Sequence, residues 1–216
     1  MLRNESIAAL REDYQKNTLE LSDINRNPIE QFNNWFQEAL KSKELEPNAM
    51  TLATVDAAGF PNARIVLLKG IEDGQFIFYT NYESKKGQEI EANPKVALVF
   101  NWLSMQRQIR IQGTVEKLSP EKSTAYFQSR PKGSQIGAWT SPQSQVIEGR
   151  IALENKKVAL EKQYESEANL PRPEHWGGFK IKPVMIEFWQ GRTSRLHDRI
   201  TFTKVKNEWK IERLAP

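Results

Sequence analysis

The sequence predicts a β-rich α+β fold: a barrel-like, mostly antiparallel sheet with helices inserted between its strands and lying on its surface. Three observations carry that prediction. Short runs rich in β-branched and aromatic residues recur over 50–118 and again from 179 to the end, separated by Gly- and Asp-containing turns. Segments of helical period interrupt them rather than extend them. No repeat, low-complexity tract or long linker divides the chain, so 28–216 reads as one domain behind a mobile N-terminal arm at 1–27.

The arm is polar, with Ile7, Leu10 and Tyr14 on one helical face and Arg11 one turn before Tyr14. A frayed terminus has the same pattern. A helix is predicted over 28–42: Asn27 caps it, Pro28 suits its first position, and Phe32, Trp35, Phe36 and Leu40 form an apolar stripe for the core. Strands follow at 50–55, 63–68 and 75–80, joined by Asp56-Ala57-Ala58-Gly59 and by a turn at Asp73-Gly74. A helix from Ser84 to Ala92 stops at Asn93-Pro94. Strands at 95–102 and 106–118 come next, with Gly113 marking a bend or bulge in the second. Ser119-Pro120-Glu121 starts a helix reaching 128; a loop is expected over 130–144, a long helix over 145–165, and Pro-rich coil at 170–174. The runs 179–190 and 195–205 flank Gly191 and read as a hairpin, and 208–214 closes the sheet, about eight strands in all.

Composition removes several kinds of chemistry. The chain has 216 residues, 38% of them hydrophobic and 10% aromatic, enough to bury a core. With no cysteine there is no disulfide, thiolate nucleophile or Cys-ligated metal, and two histidines cannot make a His-rich metal site. No apolar run reaches the roughly 18 residues of a membrane span, and Met1-Leu2-Arg3-Asn4-Glu5-Ser6 lacks a signal core, so a cytoplasmic location is expected. A balance of 31 basic to 27 acidic residues permits anionic ligands without the dense stripe of a nucleic-acid binder. There is no Gly-rich dinucleotide fingerprint and no P-loop.

Four stretches concentrate polar groups with no evident packing role. Arg64-Ile65-Val66-Leu67-Leu68-Lys69 is an apolar strand with a cation at each end, within reach of a phosphate; snorkelling strand-end charges account for it equally. Tyr79-Thr80-Asn81-Tyr82-Glu83-Ser84-Lys85-Lys86 ends a strand and puts two lysines in the first turn of a helix, where the dipole disfavours positive charge unless an anion docks on the free N–H groups. Tyr126, Arg130 and Ser134 gather donors at a helix end and in a Gly-containing loop, enough for one phosphate monoester or for an ordinary polar loop. Finally, Arg195, His197 and Arg199 fall on one face of a predicted strand, with Leu196, Ile200 and Phe202 opposite and Asp198 interrupting. Such a column repels itself unless an anion or a carboxylate neutralises it. Trp189 is placed to pack on a flat ring or in the core.

These stretches resemble the pyridoxamine 5′-phosphate oxidase family. The likeness is carried by Arg64-Ile65-Val66-Leu67-Leu68-Lys69, Phe78-Tyr79-Thr80-Asn81, Ser129-Arg130-Pro131 with Ser134-Gln135-Ile136-Gly137-Ala138-Trp139, and Trp176-Gly177-Gly178-Phe179. It continues through Glu187-Phe188-Trp189-Gln190-Gly191, Arg195-Leu196-His197-Asp198-Arg199 and the closing Arg213-Leu214-Ala215-Pro216, in order from about Ile7 onward.

The resemblance implies an FMN-binding split β-barrel with surface helices, a homodimer with FMN at its interface. It implies FMN contacts from Arg64, Ile65, Val66, Leu67, Leu68, Lys69, Tyr79, Thr80, Lys85, Lys86, Gln108, Gln143, Ser144, Trp189 and Arg199. Lys69, Tyr126, Arg130 and Ser134 would cradle the substrate phosphate, Arg195 and His197 would face the substrate ring as catalytic residues, and Arg11 and Tyr14 would close over it. The implied reaction oxidises pyridoxamine or pyridoxine 5′-phosphate to pyridoxal 5′-phosphate. Hydride passes from the 4′ carbon to the flavin, O2 accepts the electrons to give H2O2, and water hydrolyses the imine formed from the amine substrate, releasing ammonia. No metal, nucleic acid or membrane partner is expected. Two departures stand out: Lys85 replaces an arginine common in the family, losing bidentate phosphate geometry, and residues 20–24, Glu-Leu-Ser-Asp-Ile, lack an arginine run that some relatives carry. A non-catalytic flavin-binding barrel would lack the 126–134 and 195–197 groups, and a single-strand nucleic-acid barrel would show aromatics along a basic groove.

Overall fold

The computed structural model describes residues 9, 10 and 12–216. Ile7 and Arg11 lie outside them. Tyr14 is described and is not helical, so its part of the predicted arm helix does not form.

Helix α1 spans Pro28–Lys41; the Asn27 side chain accepts from the Ile29 N–H, and Pro28 occupies the first turn. Its core face is Phe32, Trp35 and Ala39, while Leu40 is half exposed, so the stripe is narrower than predicted. Strands β1 (Ala49–Val55), β2 (Pro61–Leu67), β3 (Gly70–Glu72) and β4 (Gln75–Asn81) precede α2 (Lys85–Ala92). Then come β5 (Lys95–Trp102), β6 (Arg107–Lys117), α3 (Pro120–Ser129), α4 (Lys132–Thr140), α5 (Arg150–Gln163), β7 (Trp176–Gln190), β8 (Asp198–Val205) and β9 (Glu208–Leu214). The hydrogen-bonded order is β2-β1-β5-β6-β7-β4-β3, with β8 on β7 and β9 on β8. The long β7 pairs antiparallel with β4 through 176–181 and with β8 through 185–190.

The chain divides into two compact units. The first holds the residues up to Pro47, Leu98–Ile111 and Val184–Pro216. It packs Phe32 edge-on against Phe100 at 5.0 Å and Trp35 edge-on against Phe188 at 5.2 Å. The second holds Asn48–Ala97 and Gln112–Pro183. Phe127, Ile136, Leu170 and Trp176 form a buried cluster there, flanked by Tyr79, Tyr126 and Trp139.

Several elements differ from expectation. The segment 130–144 is not a loop: Lys132–Thr140 is helical, opened by Pro131 and turned so that Gln135, Ile136 and Thr140 are buried. Gly133 and Gly137 made it read as irregular, yet neither has a positive φ. Helix α5 begins at Arg150, five residues later than predicted, after the turn that follows Pro142. Gly113 marks no break in β6; a Cβ there would sit 2.5 Å from the Lys182 carbonyl oxygen, so the glycine permits a close backbone approach. Among the described residues, a short β3 raises the strand count to nine. The largest difference is at 193–197: Ser194 and Arg195 have φ of 55° and 61°, a left-handed pair no strand accommodates, so β8 starts only at Asp198. The column of Arg195, His197 and Arg199 on one strand face therefore does not exist, and Leu196 is exposed rather than packed.

Candidate active site

The second unit contains a cavity of about 910 Å³. Arg64, Lys69, Lys85, Lys86 and Arg130 line it, and no carboxylate does. Five cations with no carboxylate among them in the wall make a site suited to an anion. Ile65, Val66, Leu67, Tyr79, Thr80, Tyr126, Ser134, Gln143 and Ser144 complete the set of sequence candidates in the wall. Leu68 is buried in the core instead.

One corner is built on the start of α2. Ser84 caps the helix, and a Cβ at Gly87 would meet the Tyr82 carbonyl oxygen at 2.0 Å, so only glycine lets the first turn fold back on its approach. That turn projects Lys86 Nζ, which donates to Gln143 Oε1 at 2.9 Å, Thr80 Oγ1 at 3.1 Å and Ser84 Oγ at 3.2 Å. All three acceptors are neutral. Burial, and then the Arg64 charge, push the Lys86 pKa down to about 8, against the opposing pull of Glu89.

Another part of the wall is aromatic. Tyr79 stacks on Tyr126 at 3.8 Å and on Trp176 at 5.5 Å, and the Arg130 guanidinium lies 4.6 Å from the Trp176 ring centre. Burial drives the Tyr79 phenol up to about 12, helped by Tyr126; burial also raises Tyr126, against the pull of Arg130. Both hydroxyls therefore keep their protons at neutral pH and are available as donors. Arg130 Nη1 is the one buried side-chain nitrogen or oxygen among the described residues that lacks a hydrogen-bond partner. Leaving such a donor unpaired is costly, and an anion in the cavity is what would pair it.

Arg130 is held from behind. The buried Gln135 side chain donates to the carbonyls of Arg130 (2.8 Å) and Gln128 (3.2 Å) and accepts from the Leu170 N–H (2.9 Å). Gln135→Leu keeps the size and strands those backbone groups. A loss of about 1–3 kcal/mol in urea unfolding is expected, with the residues of the cavity wall otherwise unchanged.

The remaining candidates belong to the first unit. The backbone N–H of Arg192 donates to His197 Nδ1 at 3.1 Å, which puts the neutral ring's proton on Nε2. Burial and then the Arg195 charge lower the His197 pKa, while Asp198 opposes them. Trp189 lies 4.6 Å from the His197 ring, and Tyr14 packs edge-on to Trp189 at 5.9 Å. Arg195 is exposed. Arg199 is engaged with buried Glu187 (2.8 and 3.2 Å), and Asp198 takes Arg192 (2.9 Å) and Arg213 (2.8 Å). Of the expected self-repelling set, Arg199 is thus answered by a carboxylate, while the Arg195 charge still acts on His197. Gln108 is a half-buried residue of β6.

A family model described as pyridoxamine 5′-phosphate oxidase matches residues 36–164, and one described as the pyridoxine 5′-phosphate oxidase C-terminal dimerisation region matches 176–216. The chain belongs to the pyridoxamine 5′-phosphate oxidase family. It is 52% identical over 213 residues to the pyridoxine/pyridoxamine 5′-phosphate oxidase of Paraburkholderia phytofirmans, covering 98% of this chain and 99% of that one. The protein of the same name from Acaryochloris marina is 53% identical over 211 residues, 98% of this chain and 96% of that one. Among solved structures, PhzG of Burkholderia lata, crystallised with tetrahydrophenazine-1-carboxylic acid, aligns with a TM-score of 0.88 at 27% identity over 95% of this chain and all of that one. An FMN binding protein of Nostoc punctiforme related to the family aligns at 0.69 and 19% identity over 86% of this chain and 97% of that one, a likeness of fold. The expected class, a β-rich α+β split barrel with helices, agrees with the family, whose members make this chain an oxidoreductase relative.

Sequence reasoning missed Glu89, Trp176 and Gln135 as parts of the site. Glu89 stands four residues after Lys85, a helical pairing distance that signals contact, and Trp176 stands beside the Gly177-Gly178 pair. Among the described residues no cluster of three His, Asp or Glu side chains could hold a metal, and no helix is long and apolar enough to cross a membrane.

Proposed function

We propose that the protein is an FMN-dependent oxidase that converts pyridoxamine or pyridoxine 5′-phosphate to pyridoxal 5′-phosphate, with O2 as acceptor and H2O2 as product. The observation that carries this reading is the cavity with five cations, no carboxylate and an orphaned buried Arg130 nitrogen. Its two corners suit two phosphates. Arg64, Lys85 and Lys86, with Thr80, are assigned to the FMN phosphate; Lys69, Tyr126, Arg130 and Ser134 are assigned to that of the substrate. When bound, FMN supplies the two-electron acceptor that the protein's own residues lack. Arg195 and His197 are assigned to the substrate ring, where a neutral imidazole with its proton on Nε2 can donate one hydrogen bond. Tyr14 is assigned to cover the ring, and Gln108, Trp189 and Arg199 to the flavin. The match to a C-terminal dimerisation region supports a homodimer, and FMN is assigned to its interface as part of this reading.

The direct test is peroxide formation by the FMN-loaded protein. Pyridoxine 5′-phosphate should support turnover, and pyridoxine, which lacks the phosphate, should lose at least about 100-fold in kcat/KM. Absence of turnover with both phosphorylated substrates in a protein that binds FMN would replace this reading with a non-catalytic flavin-binding one.

The lowered Lys86 pKa makes FMN binding depend on pH. Below pH 8 the ammonium is already protonated, and the apo-protein meets the phosphate at no protonation cost. Above pH 8 binding must take up a proton, so Kd should rise by up to about tenfold per unit. Below about pH 6 the FMN phosphate itself loses charge, giving an affinity plateau between the two limits. Fluorescence titrations from pH 6 to pH 10 read this directly.

A further inference from the structure

A carboxylate that the proposed function does not use lies beside the cavity rather than in its wall. Glu89, on α2, is 5% exposed and does not line the cavity. Its Oε1 accepts from Asn62 Nδ2 at 2.8 Å and lies 3.9 Å from Lys85 Nζ; its Oε2 accepts from Arg64 Nη2 at 3.2 Å and from the Thr54 hydroxyl. The fully buried Thr54 closes the circuit, donating to Glu89 and accepting from Arg64 Nη1, which also reaches the Leu52 carbonyl at 3.4 Å. An arginine has five N–H donors. Three are held inside the protein here, and two are left for the cavity that Arg64 lines. A guanidinium fixed in this way is ordered before any ligand arrives, which removes that ordering cost from binding.

We propose that Glu89, acting with Thr54, is a positioning residue that aims Arg64 at the anion held in the cavity. The proposal rests on the reading of this corner as the FMN phosphate site. The sign of the effect separates positioning from simple electrostatics. Through space alone, a carboxylate opposes a nearby anion, so removing its charge would tighten FMN binding. Acting through Arg64, its removal releases the guanidinium and weakens binding.

The experiment titrates FMN and riboflavin into apo-protein by flavin fluorescence, using wild type, Glu89→Gln, Thr54→Val, Arg64→Ala and the Glu89→Gln/Arg64→Ala double variant. Glu89→Gln should raise the FMN Kd about tenfold or more, and the riboflavin Kd by less than about twofold, since riboflavin has no phosphate. Thr54→Val, a near-isosteric change, should shift FMN in the same direction by less. In the Arg64→Ala background, Glu89→Gln should add less than about twofold, the signature of one shared pathway. Unchanged or tighter FMN binding in Glu89→Gln, equal losses for FMN and riboflavin, or full additivity in the double variant would each overturn the proposal. A wild-type protein that binds no FMN would overturn the functional reading itself, and this one with it.

Discussion

Arg130→Ala is expected to raise the KM for pyridoxine 5′-phosphate by about 30–1000-fold while leaving kcat within a few-fold of wild type. The guanidinium is partly buried, lies on Trp176 and carries an Nη1 with no protein partner. A phosphate that supplies the missing partner gains one or two charge-assisted hydrogen bonds, together about 2–4 kcal/mol, hence the range. The contact is remote from the oxidised carbon and is the same in ground and transition states, so its loss falls on KM. Apo-protein stability should change little, because relief of an unpaired buried donor opposes the lost packing on Trp176. A variant with normal KM, or one that loses stability and FMN together, would remove Arg130 from the substrate phosphate. Steady-state kinetics and a thermal melt on the same preparation distinguish these outcomes.

Lys86→Ala should weaken FMN by about 10–150-fold and abolish the rise in Kd above pH 8. Both effects have one cause. The ammonium is held among Thr80, Ser84 and Gln143, with Arg64 as its charged neighbour in the wall and Glu89 pulling the other way. Lys85→Ala should cost less: its side chain is 59% exposed and its contacts are long, 3.4 Å to Asn62 and 3.9 Å to Glu89. An unchanged Kd in Lys86→Ala, or a pH limb that survives the substitution, would show that another group binds the phosphate.

Much of this was legible in the sequence because local signals agreed with the fold. Strands β5 and β9 fall where alternation places them, and the caps at Asn27 and Ser84 do the work that their side chains suggest. The misplaced lysines of α2 pointed to an anion by breaking the dipole rule, and both line the cavity. What was not legible depends on contacts distant in sequence. Helix α4 hides behind two glycines, and its pattern becomes clear only when Gln135 is seen tied to Leu170. The 193–197 turn defeats strand periodicity because two non-glycine residues adopt positive φ, which alternation cannot report. Glu89 is set apart only by the residues that bury it, Thr54, Asn62 and Arg64, which come from β1 and β2.

Electron transfer from a phosphorylated pyridoxine to a flavin bound by this chain is the central step of the proposed reaction. Anaerobic mixing of the FMN-loaded protein with saturating pyridoxine 5′-phosphate tests it in a single turnover. The account predicts full bleaching of the oxidised flavin band and one pyridoxal 5′-phosphate per flavin, with Arg195→Ala slower than wild type at saturation. A flavin that stays oxidised, or one that pyridoxine without its phosphate reduces equally well, would contradict it.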